Sequence, residues 1–69
     1  MAGNDKRPTE LTPRIGRPAT AALTLAGYTT YASLARVTAR ELLALHGVGP
    51  RAIRILEEEL AARGLTFRG

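Results

Sequence analysis

The chain has 69 residues, which is enough for one compact domain and leaves little room for a catalytic pocket beside its core. It has no cysteine and a single histidine, which removes disulfides, thiolate metal sites and any His pair for a structural zinc. The formal net charge of +4 and a pI near 10.7 point to a polyanionic partner. The apolar residues are mostly Ala and Leu, with only Tyr28, Tyr31 and Phe67 as aromatics, a balance that favours helices over base-stacking platforms. No apolar run approaches the roughly 20 residues a membrane span needs. The N-terminus has no apolar signal core, so a cytoplasmic protein with no membrane partner is expected.

Residues 1–10 are polar, carry both signs of charge and include Pro8, so a disordered N-terminal arm is expected there, with the domain over 11–69. The first helix should start at about Pro18, a residue suited to a first turn, and run through the Ala-rich stretch to Ala26. Gly27 stops it, and Tyr28 is the apolar residue that packs back on the last turn. Thr29 and Thr30 can cap a short helix from Tyr31 to Arg36, with Leu34 and Val37 facing inward. Thr38-Ala39-Arg40-Glu41 reads as a capping box, the hydroxyl accepting from the Glu41 amide while the Glu41 carboxylate reaches back to the Thr38 N–H. The helix it starts carries Leu42, Leu43 and Leu45 and ends at His46-Gly47. A last helix opens at Pro50, repeats Ile53, Leu56 and Leu60 at helical spacing, and closes on Gly64-Leu65. Arg54 with Glu58 and Glu59 with Arg63 lie four apart on its surface, each pair contributing about 0.2 to 0.5 kcal/mol. No strand is expected. The fold class is therefore all-α, a compact bundle of four to five short helices.

Charge is unevenly spread. From Leu11 to Ile55 six arginines face one glutamate, whereas Leu56 to Arg63 holds three glutamates and one arginine. Laying Ile15–Leu23 over Val48–Leu56 aligns an aliphatic residue, Gly, a basic residue and Pro in either order, then Ala and later Leu. A glycine turn feeding a proline-started helix would thus occur twice, as two related turn-helix units in one domain.

The second of these turns carries the candidate chemistry. Two helices joined by about three residues must turn sharply, and Gly47 and Gly49 permit backbone angles denied to other residues. Val48 between them is expected to plug the space between the helices. The glycines leave the outer face of the turn bare, so the N–H groups of Arg51, Ala52 and Ile53 and the positive helix end can receive an anion, with phosphate the obvious occupant. Arg51 and Arg54 oppose the helix dipole by about 0.3 to 1 kcal/mol each, an arrangement that serves binding better than stability. Arg14 and Arg17 flank the first turn and would lie near Arg51 if the two units pack symmetrically. Arg36 and Arg40 read as solvated charges, His46 as a turn residue, and Thr20 as either a phosphate donor or a neutral helix residue. Glu41 is committed to its cap and no nucleophile–base pair is apparent, so no enzyme, cofactor, metal or small-molecule substrate is expected.

Leu42-Leu43-Ala44-Leu45-His46-Gly47-Val48-Gly49-Pro50-Arg51-Ala52-Ile53 resembles the helix-hairpin-helix motif of DNA repair and replication proteins. The wider span from Leu11 to Phe67 is similar to the C-terminal domain of the bacterial RNA polymerase alpha subunit, within the SAM-like folds. The resemblance implies four helices after a nonstandard opening segment, and a bacterial role in transcription or repair. It also implies DNA contacts from the neighbourhoods of Arg17, Pro18 and Ala21 and of Gly49, Arg51 and Ala52, gripping backbone around a minor groove. The family's arginine position falls at Pro18 and its polar contact at Ala21, two departures from the pattern. The expected function is a small module binding duplex DNA backbone with weak sequence preference through Arg14, Arg17, Gly47, Gly49, Arg51, Ala52 and Arg54. The alternative is a protein-docking module of the same machinery. Phosphate contacts alone do not separate DNA from RNA.

Overall fold

The computed structural model describes residues 9–69, in which a 3-10 turn, Pro13–Ile15, is followed by four helices: α1 (Arg17–Leu25), α2 (Tyr31–Leu34), α3 (Ala39–Leu43) and α4 (Pro50–Ala62). There is no strand among the described residues, and the protein is all-α. None of these helices is long and apolar enough to cross a membrane. The arm expected over 1–10 lies outside the described residues except for Thr9 and Glu10. Glu10 is tied in, its N–H donating to the Thr29 carbonyl at 2.9 Å and its Oε2 accepting from the Tyr31 N–H at 2.8 Å.

Local rules account for the helix ends. Thr38 and Glu41 form the expected reciprocal box, with bonds of 3.1 and 3.3 Å. Thr30 and Ser33 form a second one at the start of α2. Gly27 and Gly64 close α1 and α4, and the next residue donates back over the last turn in each case: Tyr28 N–H to Leu23 O and Leu65 N–H to Leu60 O, both at 2.8 Å. Two helices are shorter than expected. The second stops at Leu34, and the third stops at Leu43 and gives way to turns closed by Leu45 N–H on Leu42 O and Val48 N–H on Leu45 O.

The core runs through every element. Leu23, Leu34, Leu42, Leu56 and Leu60 are fully buried, and Leu11, Ile15, Ala19, Tyr31, Val48, Ala52 and Ile53 complete it. Burying a side chain such as Leu56 stabilises by about 1.5 to 3 kcal/mol. Ile15 and Val48, Ala19 and Ala52, and Leu23 and Leu56 occupy matching buried places around the two glycine turns, the first pair just before Gly16 and Gly49 and the others after them. In the short third helix only Leu42 is fully enclosed, Leu43 being 43% exposed, and Leu45 beyond its end is half-buried. The 3-10 turn packs against α4 and the start of α1, and α3 packs on α4. The tail folds back: Leu65 and Phe67 pack on the core, and Arg68 donates from its N–H to Val37 O at 2.8 Å and from Nε to Arg36 O at 3.1 Å.

Candidate nucleic-acid interface

The four helices divide into two kinds by how they begin. The short α2 and α3 start on threonines whose hydroxyls cap them. The longer α1 and α4 start on Gly16 and Gly49, have no side-chain cap, carry a proline in the first two positions and have no acid in the first turn. Their first-turn amides are therefore left without acceptors: Arg17 and Ala19 in α1, Arg51 and Ala52 in α4, and the N–H of Gly49 as well, counted among the described residues. Ile53 leaves the expected set, because its N–H donates to Gly49 O at 3.2 Å within the helix. Ala52 is buried in the core, so its methyl offers nothing to a ligand.

Gly47 joins these two helix starts. Its φ is +102°, and a Cβ placed on it would lie 2.9 Å from the Pro18 carbonyl oxygen and 3.6 Å from the Ala22 Cβ. The α3–α4 turn thus rests on the backbone of the first turn of α1, with Val48 buried behind it as expected. Gly49 differs from the expectation that both glycines adopt restricted angles. It sits at φ −112°, ψ 177°, a conformation open to any residue, and a Cβ there would meet nothing within 4 Å. The fold demands a glycine at 47 and does not demand one at 49.

Arginines surround this surface. Arg17, Arg51 and Arg54 are exposed and make no side-chain hydrogen bond or ion pair among the described residues. Arg51 and Arg54, three apart, share one face of α4. Arg17 opens α1 beside a hollow of about 370 Å³ that it lines with Pro13, Gly16, Thr20 and Ala21. Arg14 departs from the expected place near Arg51. Its guanidinium reaches along α4 to Glu58 and Glu59, 3.9 and 3.6 Å away, seven or eight residues beyond Arg51 and so about 10 to 12 Å further along the axis. This displaces the expected Arg54–Glu58 pair, which does not form, whereas Glu59–Arg63 does at 2.9 Å. Arg63 also stacks on the Tyr31 ring at 4.0 Å, and the Tyr31 hydroxyl accepts from the Thr12 N–H at 2.9 Å. Arg68, which sequence reasoning passed over, pairs with Glu41 at 3.4 Å from the far end of the chain.

Chemically, the arrangement offers free amides, two helix positive ends and three unpaired cations, and holds no group of three or more His, Asp or Glu side chains placed for a metal among the described residues. No family model, curated protein or solved structure matches the chain.

Proposed function

We propose that the protein is a small, non-enzymatic DNA-binding module of helix-hairpin-helix type, built from two related turn-helix units and akin to the C-terminal domain of the bacterial polymerase alpha subunit. In this reading the α3–α4 turn, with Gly47, Gly49, Arg51, Ala52 and Arg54, and the adjacent start of α1, with Arg17, hold phosphates of a duplex. One observation carries it: the two uncapped, acid-free helix starts are the two that Gly47 packs together, and arginines without an ion pair among the described residues open or follow both. Oriented amides and helix dipoles suit phosphate oxygens. Pro18 and Ala21 present no base-reading group, which favours backbone contact with weak sequence preference.

The test is titration of a short duplex, followed by anisotropy and by amide shifts. With two to four phosphates engaged, log affinity should fall against log salt with a slope of about −2 to −4, from dissociation constants of about 10⁻⁴ to 10⁻⁶ M. Shifts should centre on Arg17, Gly49, Arg51 and Ala52, and Arg51→Glu should abolish binding with the fold intact. Absence of binding to any duplex at low salt overturns the proposal.

A second reading, a docking module for another protein, draws on a groove of about 540 Å³ between α3, α4 and the tail, with Ala39, Ala61, Leu65 and Phe67 in its lining and Arg40 and Glu57 at its sides. A partner retained after nuclease treatment and in Arg51→Glu, but lost in Ala61→Arg, would favour that reading.

A further inference from the structure

Arg14 stands two residues before Gly16, and its neighbour Pro13 lines the hollow at the start of α1. A cation in that place would serve a phosphate seated at α1, but the side chain turns away to two carboxylates of α4. The hold is loose. The separations of 3.6 and 3.9 Å are ion-pair distances without a hydrogen bond, and both Arg14 and Glu58 are about 60% exposed, so water screens the pair. Glu59 has a closer commitment, accepting from Arg63 at 2.9 Å. Arg14 is thus a cation held by two oxyanions that imitate a phosphate, and a phosphate must displace them to reach it.

We propose that Glu58 and Glu59 act as an intramolecular competitor for the polyanion, holding Arg14 off the phosphate-binding turns and withholding one cation from them. This rests on the reading of those turns as a phosphate-binding surface. Its consequence is a masked contact: Arg14 contributes little to duplex binding while both glutamates are present, and contributes fully once they are neutral.

The experiment is a double-mutant cycle read by anisotropy on one short duplex across a salt series, using the wild-type chain, Arg14→Gln, Glu58→Gln with Glu59→Gln, and all three together. Gln at 59 keeps an acceptor for Arg63, and thermal melts of each protein verify the fold. The Glu58→Gln single variant repeats the comparison with Glu59 intact. In the wild-type background Arg14→Gln should change affinity less than about twofold. In the neutralised background it should lower affinity about three- to tenfold. The neutralised protein should also steepen the salt slope by about 0.9, the signature of one more phosphate engaged, and only while Arg14 is present. Removing negative charge raises affinity by long-range attraction too, but that gain is shared by both Arg14 backgrounds and drops out of the cycle. Glu57→Gln, whose carboxylate pairs with no arginine among the described residues, should give that shared gain alone. Equal effects of Arg14→Gln in the two backgrounds overturn the inference while leaving duplex binding in place. A wild-type chain that binds no duplex overturns it together with the reading it rests on.

Discussion

Gly47→Ala and Gly49→Ala, two residues apart in one turn, should act on different properties of the protein. At Gly47 an alanine must adopt φ near +102°, a conformation that opposes a Cβ by about 1 to 2 kcal/mol. The added carbon also lands 2.9 Å from the Pro18 carbonyl oxygen, a backbone atom that cannot swing away, and such overpacking adds about 1 to 3 kcal/mol. The combined loss of about 2 to 5 kcal/mol is a large part of the roughly 3 to 9 kcal/mol available to a chain of this size. At about 4 to 8 °C per kcal/mol, the melting temperature should fall by about 8 to 40 °C. At Gly49 the backbone is extended and the space is empty, so the reduced freedom of the unfolded chain, worth about 0.4 to 1 kcal/mol, is offset by the weaker N-cap preference of Ala. The melting temperature should stay within a few degrees of wild type, while duplex affinity drops about tenfold, or 1.4 kcal/mol, because the methyl would stand where the proposed function has a phosphate approach. Gly49→Asp extends the contrast: its carboxylate caps α4 and stabilises by a few tenths of a kcal/mol, yet repels the phosphate. Circular-dichroism melts and anisotropy on the same samples measure both quantities. Equal thermal shifts at the two positions, or wild-type affinity for Gly49→Ala, would refute the division of roles.

Leu56→Ala removes a fully buried side chain where α4 faces the core and should lower stability by about 2 to 5 kcal/mol in urea unfolding, close to the limit for a folded chain. Tyr31→Phe deletes the acceptor of the Thr12 N–H but keeps the ring under Arg63; about 0.5 to 1.5 kcal/mol should be lost, with duplex affinity unchanged. Thr38→Ala breaks the capping box at α3 and should cost about 1 kcal/mol, seen as a midpoint shift at constant urea slope.

The legible part of this fold was the part settled within about six residues. The box at Thr38 and Glu41, the endings at Gly27-Tyr28 and Gly64-Leu65, and the helical spacing of Ile53, Leu56 and Leu60 each involve partners on the same stretch of chain, and the structure has them where the pattern puts them. Errors gather where the partner comes from elsewhere. The four-residue rule joined Glu58 to Arg54, but the 3-10 turn packs on α4 and delivers Arg14 to the same carboxylate. Glu10 caps the first turn of α2 from twenty-one residues upstream, and Arg68 crosses to Glu41 and Arg36. The leucines of Leu42-Leu43-Ala44-Leu45 suit a continuous helix, yet the chain leaves the helix after Leu43 to bury Val48, and Leu43 stays partly in solvent.

The candidate site divides the same way. That Gly47, Gly49, Arg51 and Arg54 belong together follows from their spacing, since a glycine turn that opens a helix places free amides and the following side chains at one end. Which glycine serves the fold does not follow, because the two are chemically identical until the Pro18 carbonyl is found against one and open space against the other. Composition likewise counts Arg14 and Arg17 as equal cations three residues apart, and only the packing of the 3-10 turn on α4 separates them by putting carboxylates within reach of one and, among the described residues, none against the other. A surface assembled from two helix starts is therefore specified in two stages. Short-range rules leave α1 and α4 uncapped, and a long-range contact at Gly47 then decides which uncapped amides, and which arginines, stand side by side.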